Sequence, residues 1–419
     1  MNKLITSNLI VEYKININTT INIAQELYRG ELYCELLKFF TKSCLKNLNE
    51  TIFSHKKNYT RTITNMLASW FFTLYQTYDF LGDPFFPSNY LDNDIIIKRT
   101  LIDYCSLYNI DNLDEKINNI IKDLHYSYNL LNNKLHNIDK IVNNVSVIKK
   151  TILCNRNSNI IKFYNFTINN NIVICNKLNN IINNIMIPVE QYNMMKNRYN
   201  DNMNDDMDTL IWIILFRYQL LSSNNNQLAV LPSIYKKMVE DFNLSVECFA
   251  SAINTSSQYF CSLYNDVEKY FGSIGNFFNI KPIKGTYSFN PPYQYDIISN
   301  GITKIIKHMD DTTEDLTFII TIPIWDNIGK EIMENQMMEN NNNIIKYDEF
   351  TIMNDIKNSK YFKGLRMISK NEFTYIDHNF YLFKNKTIQN TYVIVMSNIN
   401  NNTIIHIDYI NEYDFYSYN

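Results

Sequence analysis

A strand that runs straight into two consecutive prolines constrains this chain more than any other segment. Gly285-Thr286-Tyr287-Ser288-Phe289 is a β-branched and aromatic run that predicts a strand over 286–289. Asn290-Pro291-Pro292-Tyr293 follows at once. Proline fixes φ and donates no hydrogen bond, so the chain must leave the sheet in a stiff turn. Such a turn holds two acceptors in a fixed direction: the Asn290 side-chain oxygen and the Pro291 main-chain oxygen. Together they can take both protons of an exocyclic amine. That draws the nitrogen toward tetrahedral geometry and frees its lone pair to attack a methyl group. Tyr293 offers a ring face on which a base can stack. In an Asn-rich chain the same four residues also occur as a plain turn, so the preceding strand and a second signal upstream carry weight.

That second signal is Val246-Glu247-Cys248-Phe249-Ala250-Ser251, at the end of a strand predicted over 244–249. Its plain reading is a buried strand followed by a helix cap; its resemblance to an Asp-Pro-Phe-Ala-Gly-Ser-Gly signature implies instead that the acid meets a ligand's ammonium group. The small residues Ala250, Ser251 and Ala252 then let the backbone approach, though less closely than glycines would. Asn254 follows, then a predicted helix over 255–264. Asp266 and Glu268 come after it and are candidates for ribose hydroxyls, with solvated surface acids as the other reading. About forty residues separate the two turns, a distance that fits one βαβ unit and sets them side by side at a sheet edge.

The rest of the chain divides in two. Residues 1–208 read as mainly helical, with apolar residues three and four apart over 23–40, 62–78, 99–108 and 114–148. Residues 83–88 interrupt as a loop, and 199–208 read as a polar linker. Residues 209–419 alternate helix and strand: a buried helix at 210–221, a helix at 295–309, and strands at 316–322, 392–396 and 404–410. This pattern predicts an α/β fold with a mostly parallel sheet and ligands at the carboxyl ends of its strands. Residues 1–200 hold 22 Lys and Arg against 16 Asp and Glu, and the remainder 17 against 26. A basic first half beside an acidic second half fits docking of an anionic partner on the first. The seven cysteines form no CxxC pair and no metal-ligand spacing with the six histidines, so no metal site is expected. Their pattern points to reduced thiols in a cytoplasmic or nuclear compartment. No signal peptide or membrane span is read.

Glu247 to Ser251, Asn254, Tyr259-Phe-Cys-Ser262, Tyr270-Phe-Gly-Ser-Ile-Gly275, Ser288 to Tyr293, Phe318 to Trp325 and Asn390 to Val395 occur here in one order. That order resembles the cap-specific adenosine N6-methyltransferases typified by the phosphorylated-CTD-interacting factor. The resemblance covers roughly 209–400. It implies a Rossmann-like, S-adenosylmethionine-dependent methyltransferase domain after a helical domain that contributes to binding cap and RNA. The implied substrate is the first transcribed adenosine, usually 2′-O-methylated, beside a 7-methylguanosine cap. Asn290, Pro291, Pro292 and Tyr293 are then catalytic. Glu247, Phe249, Ala250, Ser251, Asn254, Asp266 and Glu268 hold the cofactor. Gly272, Ser273, Gly275 and Trp325 lie at the substrate. Arg61, Arg99, Arg198 and Arg217 are candidates for cap and phosphate contacts, with a buried ion pair the rival reading for Arg217. Three positions depart from the family: Tyr293 replaces an expected Phe, Ile274 a basic residue and Ile324 an acid. A WW module needs two Trp roughly twenty residues apart; with only Trp70, Trp212 and Trp325 here, no phosphorylated polymerase tail is expected as partner. The four-residue turn alone leaves open methylation of DNA or internal RNA, or an inactive cap-binding protein.

Overall fold

The computed structural model describes residues 2–13, 22–48, 59–77, 82–87, 94–105, 110–136, 138, 149–154, 159–164, 175–200, 206–221, 227–324, 349–369, 374–378, 384–386 and 390–399. Its first part is a pair of short strands, β1 (Asn2–Ile5) and β2 (Ile10–Tyr13), then helices α1 (Ile23–Leu48) and α2 (Tyr59–Thr77). A small hairpin of β3 (Gly82–Asp83) and β4 (Phe86–Pro87) precedes α3 (Asp94–Cys105) and α4 (Leu113–Leu135). Next come β5 (Lys149–Cys154), β6 (Asn159–Tyr164), α5 (Asn176–Ile182), β7 (Met186–Pro188), α6 (Val189–Arg198) and α7 (Met207–Leu221).

α4 shows why these segments are helices. Ile117, Ile120, Ile121, Leu124, Tyr128, Leu131 and Leu135 recur at three and four and are all buried. Asp114 and Glu115 in its first turn and Lys134 in its last complement the helix dipole. α7 is apolar on every side, with Leu210 to Tyr218 buried without a break, so it runs through the interior. One apolar cluster joins α1, α2, α4 and α7 and reaches as far as Tyr264 and Phe271.

The helical reading of this half needs correction in two places, while the interruption expected at 83–88 forms as a turn. β5, β6 and β7 form an antiparallel three-stranded sheet. That turn, described over 82–87, is a small hairpin closed by Asp83, whose Oδ1 accepts the Phe85 N–H at 2.9 Å. β2 pairs antiparallel with a strand far along the chain, Lys281↔Glu12 and Pro282↔Val11. Periodicity within a segment carries no signal for such a long-range pairing.

The second part holds β8 (Leu228–Val230), α8 (Pro232–Phe242), β9 (Leu244–Glu247), β10 (Tyr259–Phe260), the one-turn α9 (Asn265–Glu268), β11 (Lys281–Phe289) and α10 (Tyr295–Asp311). It continues with β12 (Leu316–Pro323), α11 (Glu349–Asn358), β13 (Phe362–Ile368), β14 (Tyr375–Asp377), β15 (Lys384–Lys386) and β16 (Thr391–Ser397). The strands expected from 286, 316 and 392 and the helix from 295 form, each within a few residues of its expected bounds. The strand expected at 404–410 and Trp325 lie outside the described residues.

The sheet is mixed, not mostly parallel. β10, β9, β11 and β12 run parallel; β16 is antiparallel to β12 and to β13. β12 is buried along its whole length and alternates between two cores. Leu316, Phe318, Ile320 and Ile322 pack toward α10 and α11, and Ile319 toward α8 and Tyr375. From β9 the chain passes to β10 on one side and then returns to β11 on the other. Winding reverses there, and open α/β sheets bind ligands outside the carboxyl ends of strands at such a point.

The helix expected over 255–264 does not form. Thr255 Oγ1 and the N–H groups of Ser256 and Ser257 all donate to Glu247 Oε1, at 2.9, 2.7 and 2.8 Å. Capping-type residues given a carboxylate to bond to leave the helical path, and the segment turns into β10 instead.

Candidate functional site

The two turns singled out in the sequence are neighbours. Tyr287 pairs with Val246 and Ser288 with Glu247, and the Cys248 N–H donates to the Ser288 carbonyl at 2.8 Å. Glu247 and Asn290 therefore leave adjacent parallel strands at the same end. Both line one cleft with Phe249, Asn254, Ser256 and Ser288 on the strand side, and Leu228 to Val230, Tyr235 and Met238 opposite. The cleft has about 420 Å³ of empty space, counting what is open to solvent, but room for little more than one water between its walls, about 20 Å³.

Glu247 spends one oxygen on the three donors of the following loop; none of those bonds uses Oε2. Burial raises its carboxyl above the ordinary value, against the pull of those donors and of Arg198. Arg198 does not reach outward. Its Nη2 donates to the Thr255 carbonyl at 3.0 Å and its charge faces Glu247. The loop is tightly tied: Ser251 N donates to Asn254 Oδ1 at 2.7 Å, Ser251 Oγ to Gln227 Oε1 at 2.7 Å, and Ala250 N to the Cys261 carbonyl at 2.9 Å. Phe249 packs edge-on against Phe289 at 5.2 Å and beside Phe277 and Phe278, which fixes the exits of β9 and β11 to each other.

Across the cleft, Asn290 is half-buried, and among the described residues its side-chain amide and the Pro291 carbonyl have no hydrogen-bond partner. Pro291 is buried and Pro292 accepts the Gln294 N–H at 2.7 Å. The Tyr293 hydroxyl bonds to that of Tyr375, 2.7 Å away. Gly301 of α10 lets the helix close on β11: a Cβ there would sit 2.2 Å from the Phe289 ring.

Two expected cofactor acids lie elsewhere. Asp266 accepts Arg217 Nη1 through both oxygens at 2.8 Å, and Arg217 grips Glu26 at 2.7 and 2.9 Å. Arg29 completes the group, at 2.9 Å from Glu26 and 2.5 Å from Asp83. Arg217 is 1% exposed, so the ion-pair reading replaces the one that aimed it at a ligand. Burial alone would raise the Glu26 carboxyl, but Arg217 and Arg29 outweigh it and hold it below the usual range. Glu268 is 0% exposed. Its oxygens accept the Ala252 N–H at 2.8 Å, the Tyr264 N–H at 3.1 Å and the Tyr218 hydroxyl at 3.0 Å. It braces the 250–254 loop from behind, and burial raises its carboxyl to about 7.

Gly272, Ser273 and Gly275 flank β10. Ser273 Oγ bonds to Ser262 Oγ at 2.7 Å, and Gly275 O accepts the Ser262 N–H at 2.9 Å. Gly272 has φ +102°, and a Cβ there would meet the Gln258 carbonyl at 2.4 Å. Arg99 pairs with Asp296 in the first turn of α10, just past the proline turn. Arg61 is exposed on α2. Ile274 is buried in the sheet core, and the Ile324 N–H donates to the Asn390 carbonyl at 2.8 Å. Sequence reasoning did not find Gln227, Tyr235, Met238, Tyr375 or the β8 wall. Only their tertiary placement marks them, since Tyr375 meets Tyr293 across 82 residues of chain.

Comparison with known proteins agrees with the motifs. Residues 189–354 match the family described as Phosphorylated CTD interacting factor 1 WW domain. A Mus musculus protein named mRNA (2'-O-methyladenosine-N(6)-)-methyltransferase is 29% identical over 121 residues, 27% of this chain and 17% of that protein. Its Homo sapiens counterpart of the same name is 28% identical over 121 residues, again 27% and 17%. The match spans about a sixth of the length of these curated relatives. The chain is similar to the cap-specific adenosine N6-methyltransferase family of the phosphorylated-CTD-interacting type. Trp212, which lies in the matched stretch, is fully buried in α7 and stacks on Phe216 at 4.9 Å.

Proposed function

We propose that this chain is an S-adenosylmethionine-dependent methyltransferase acting on N6 of the cap-adjacent (2′-O-methyl)adenosine of capped RNA. One observation carries the reading: an Asn290 amide and a Glu247 carboxylate oxygen that have no hydrogen-bond partner among the described residues face one cleft at the reversal point of a mixed α/β sheet. That strand arrangement supports a Rossmann-like domain. The matched relatives' printed names, which specify N6 of 2'-O-methyladenosine in mRNA, support the substrate.

The cleft residues fit the cofactor in kind. Glu247 Oε2 is available to an ammonium group, and Phe249 and Asn254 line the same wall; Ala250 and Ser251, expected beside the cofactor, lie behind that wall with their N–H groups bonded within the protein, and Ser251 is buried. When bound, S-adenosylmethionine supplies a sulfonium-activated methyl group. The chain's own residues do the rest. Asn290 Oδ1 and the Pro291 carbonyl accept the two N6 protons and aim the nitrogen lone pair at the methyl group. Pro292 stiffens the turn and Tyr293 stacks on the adenine. The nitrogen becomes acidic once methylated and releases its proton to solvent. Rate enhancement comes from positioning and fixed dipoles.

The helical half, residues 1–208, supplies cations for phosphates. Lys38, Lys42 and Lys46 on α1 and Lys177 on α5 rim a cavity of about 610 Å³ floored by Leu37 and Leu45. Among the described residues these four have no ion-pair partner. Arg61 on α2 and Arg99 beside the proline turn remain candidates for RNA contact, and Gly272, Ser273, Gly275 and Trp325 for the substrate wall. A phosphorylated polymerase tail is not proposed as partner: among the described residues both tryptophans, Trp70 and Trp212, are buried and present no indole face to a peptide.

The test is nucleoside mass spectrometry on RNAs that begin with capped A or capped G. Methylation is expected on the A-starting RNA alone, and competition by free cap analogue should reduce it. Equal methylation of uncapped RNA or DNA would favour an interior adenine. Binding of cap without transfer would leave an inactive cap-binding protein.

A further inference from the structure

The small sheet formed by β8, β14 and β15 touches both turns of the cleft. On the donor side Gln227, just before β8, accepts the Ser251 hydroxyl through Oε1 at 2.7 Å. On the acceptor side Tyr375 of β14 meets the Tyr293 hydroxyl at 2.7 Å. Between these ends the sheet is locked in register, Tyr375↔Val230, Ile376↔Ala229 and Asp377↔Leu228, and the His378 N–H donates to the Gln227 carbonyl at 3.0 Å. Tyr375 is 2% exposed and Thr391, the first residue of β16, 1%. Thr391 shares hydrogen bonds with both tyrosines. Burial pushes the Tyr293 hydroxyl up to about 12, so it stays protonated and able to donate. A phenylalanine at 293, the aromatic that the resemblance leads one to expect, would have nothing to place in this cluster.

We infer that Tyr375 is a positioning residue: its hydroxyl fixes the ring plane of Tyr293, and the small sheet sets the spacing between the acceptor turn and the donor loop. The inference rests on the function proposed above and adds a residue that no motif contains. The prolines stiffen the backbone of the turn but not the side-chain torsions of Tyr293, and a ring free to rotate is a poor platform, because a stacked base would have to bear the cost of ordering it. The hydroxyl cluster orders it in advance. The same sheet holds Ser251 through Gln227, so a shift at one turn is carried to the other by three paired backbone positions.

The experiment uses the full chain and capped RNA starting with adenosine. Tyr375→Phe removes one hydroxyl and keeps the ring. It should lower kcat/KM for RNA about tenfold, while KM for S-adenosylmethionine stays within about twofold. Gln227→Leu should do the reverse, raising the KM of the donor. Tyr293→Phe should act in the same direction, and the loss in the double variant should fall clearly short of the sum of the two, because both singles break the bond they share. RNA with 2-aminopurine at the first position reads stacking directly: the wild type should quench it and Tyr375→Phe should quench it less. A lowered thermal midpoint with unchanged kinetics and quenching, or additive losses in the double variant, overturns the positioning role alone. Absence of methyl transfer by the wild type to any adenosine-bearing nucleic acid overturns the proposed function, and this inference with it.

Discussion

On the proposed function, the Asn290 amide is one of the two acceptors that orient the amine. Asn290→Ala removes one of two acceptors and should cost about 10²–10³ in kcat, read as product per turnover on A-starting RNA, with little change in donor affinity. Glu268 bears on the cleft from behind. Its carboxyl, at 4.5 in a free chain, is raised to about 7 by burial. The folded chain therefore binds a proton that the unfolded chain has released. The stability that Glu268 contributes is full below about pH 4.5 and is lost as pH rises through about 7. Urea midpoints across that window should fall with pH in the wild type and run flatter in Glu268→Gln. The variant's absolute stability should also drop, since its amide would turn a donor toward a backbone N–H. Glu247 and Asn290 were legible as residues because an acid at a strand end and a proline turn are local patterns. The roles of Asp266, Arg217 and Glu268 were not, because an acid or a guanidinium reads the same in sequence whether solvated or sealed among partners.

Among the elements, α10 and β11 act as one unit. Gly301 admits the Phe289 ring against the helix, and Phe289 precedes Asn290 directly. Gly301→Ala puts a methyl group 2.2 Å from that ring. It should destabilise the fold by about 1–3 kcal/mol and reduce activity beyond what the lost stability explains, by displacing the turn. Denaturant midpoints together with kcat on the folded fraction check both halves. Helices with strong periodicity, such as α4 and α10, and continuous apolar or β-branched runs, such as α7, β11 and β12, were readable from the chain. The expected helix over 255–264 was not a strand-like sequence misread; its Thr and Ser residues found a carboxylate to bond to. The antiparallel β16 and the β2 pairing were invisible for a different reason: direction and partner of a strand depend on where the chain returns, not on its own composition.

Across the whole molecule, the ion group of Glu26, Arg29, Asp83, Arg217 and Asp266 binds α1, the β3–β4 hairpin, α7 and α9 together. Arg217→Met leaves Glu26 and Asp266 buried without it and should cost about 3–5 kcal/mol, seen as a lowered thermal midpoint. At the opposite extreme, the lysine rim on α1 should matter for RNA and little for stability. Lys42→Glu with Lys46→Glu should weaken RNA binding and reduce the slope of log affinity against log salt by about one to two, in titrations at several salt concentrations. An unchanged slope would assign the phosphate contacts elsewhere. The basic balance of residues 1–200 foretold this surface in sign but not in place, because net charge says nothing of which lysines converge.

The pairing of β2 with Lys281 to Lys284 has a consequence for biosynthesis. During synthesis the β1–β2 hairpin lacks a mate until β11 appears some 270 residues later. Trimming residues 2–13 would spare every side chain of the cleft. Yet it would strip the flank of that strand, and such a protein should form sticky oligomers on refolding well before the cleft itself is lost.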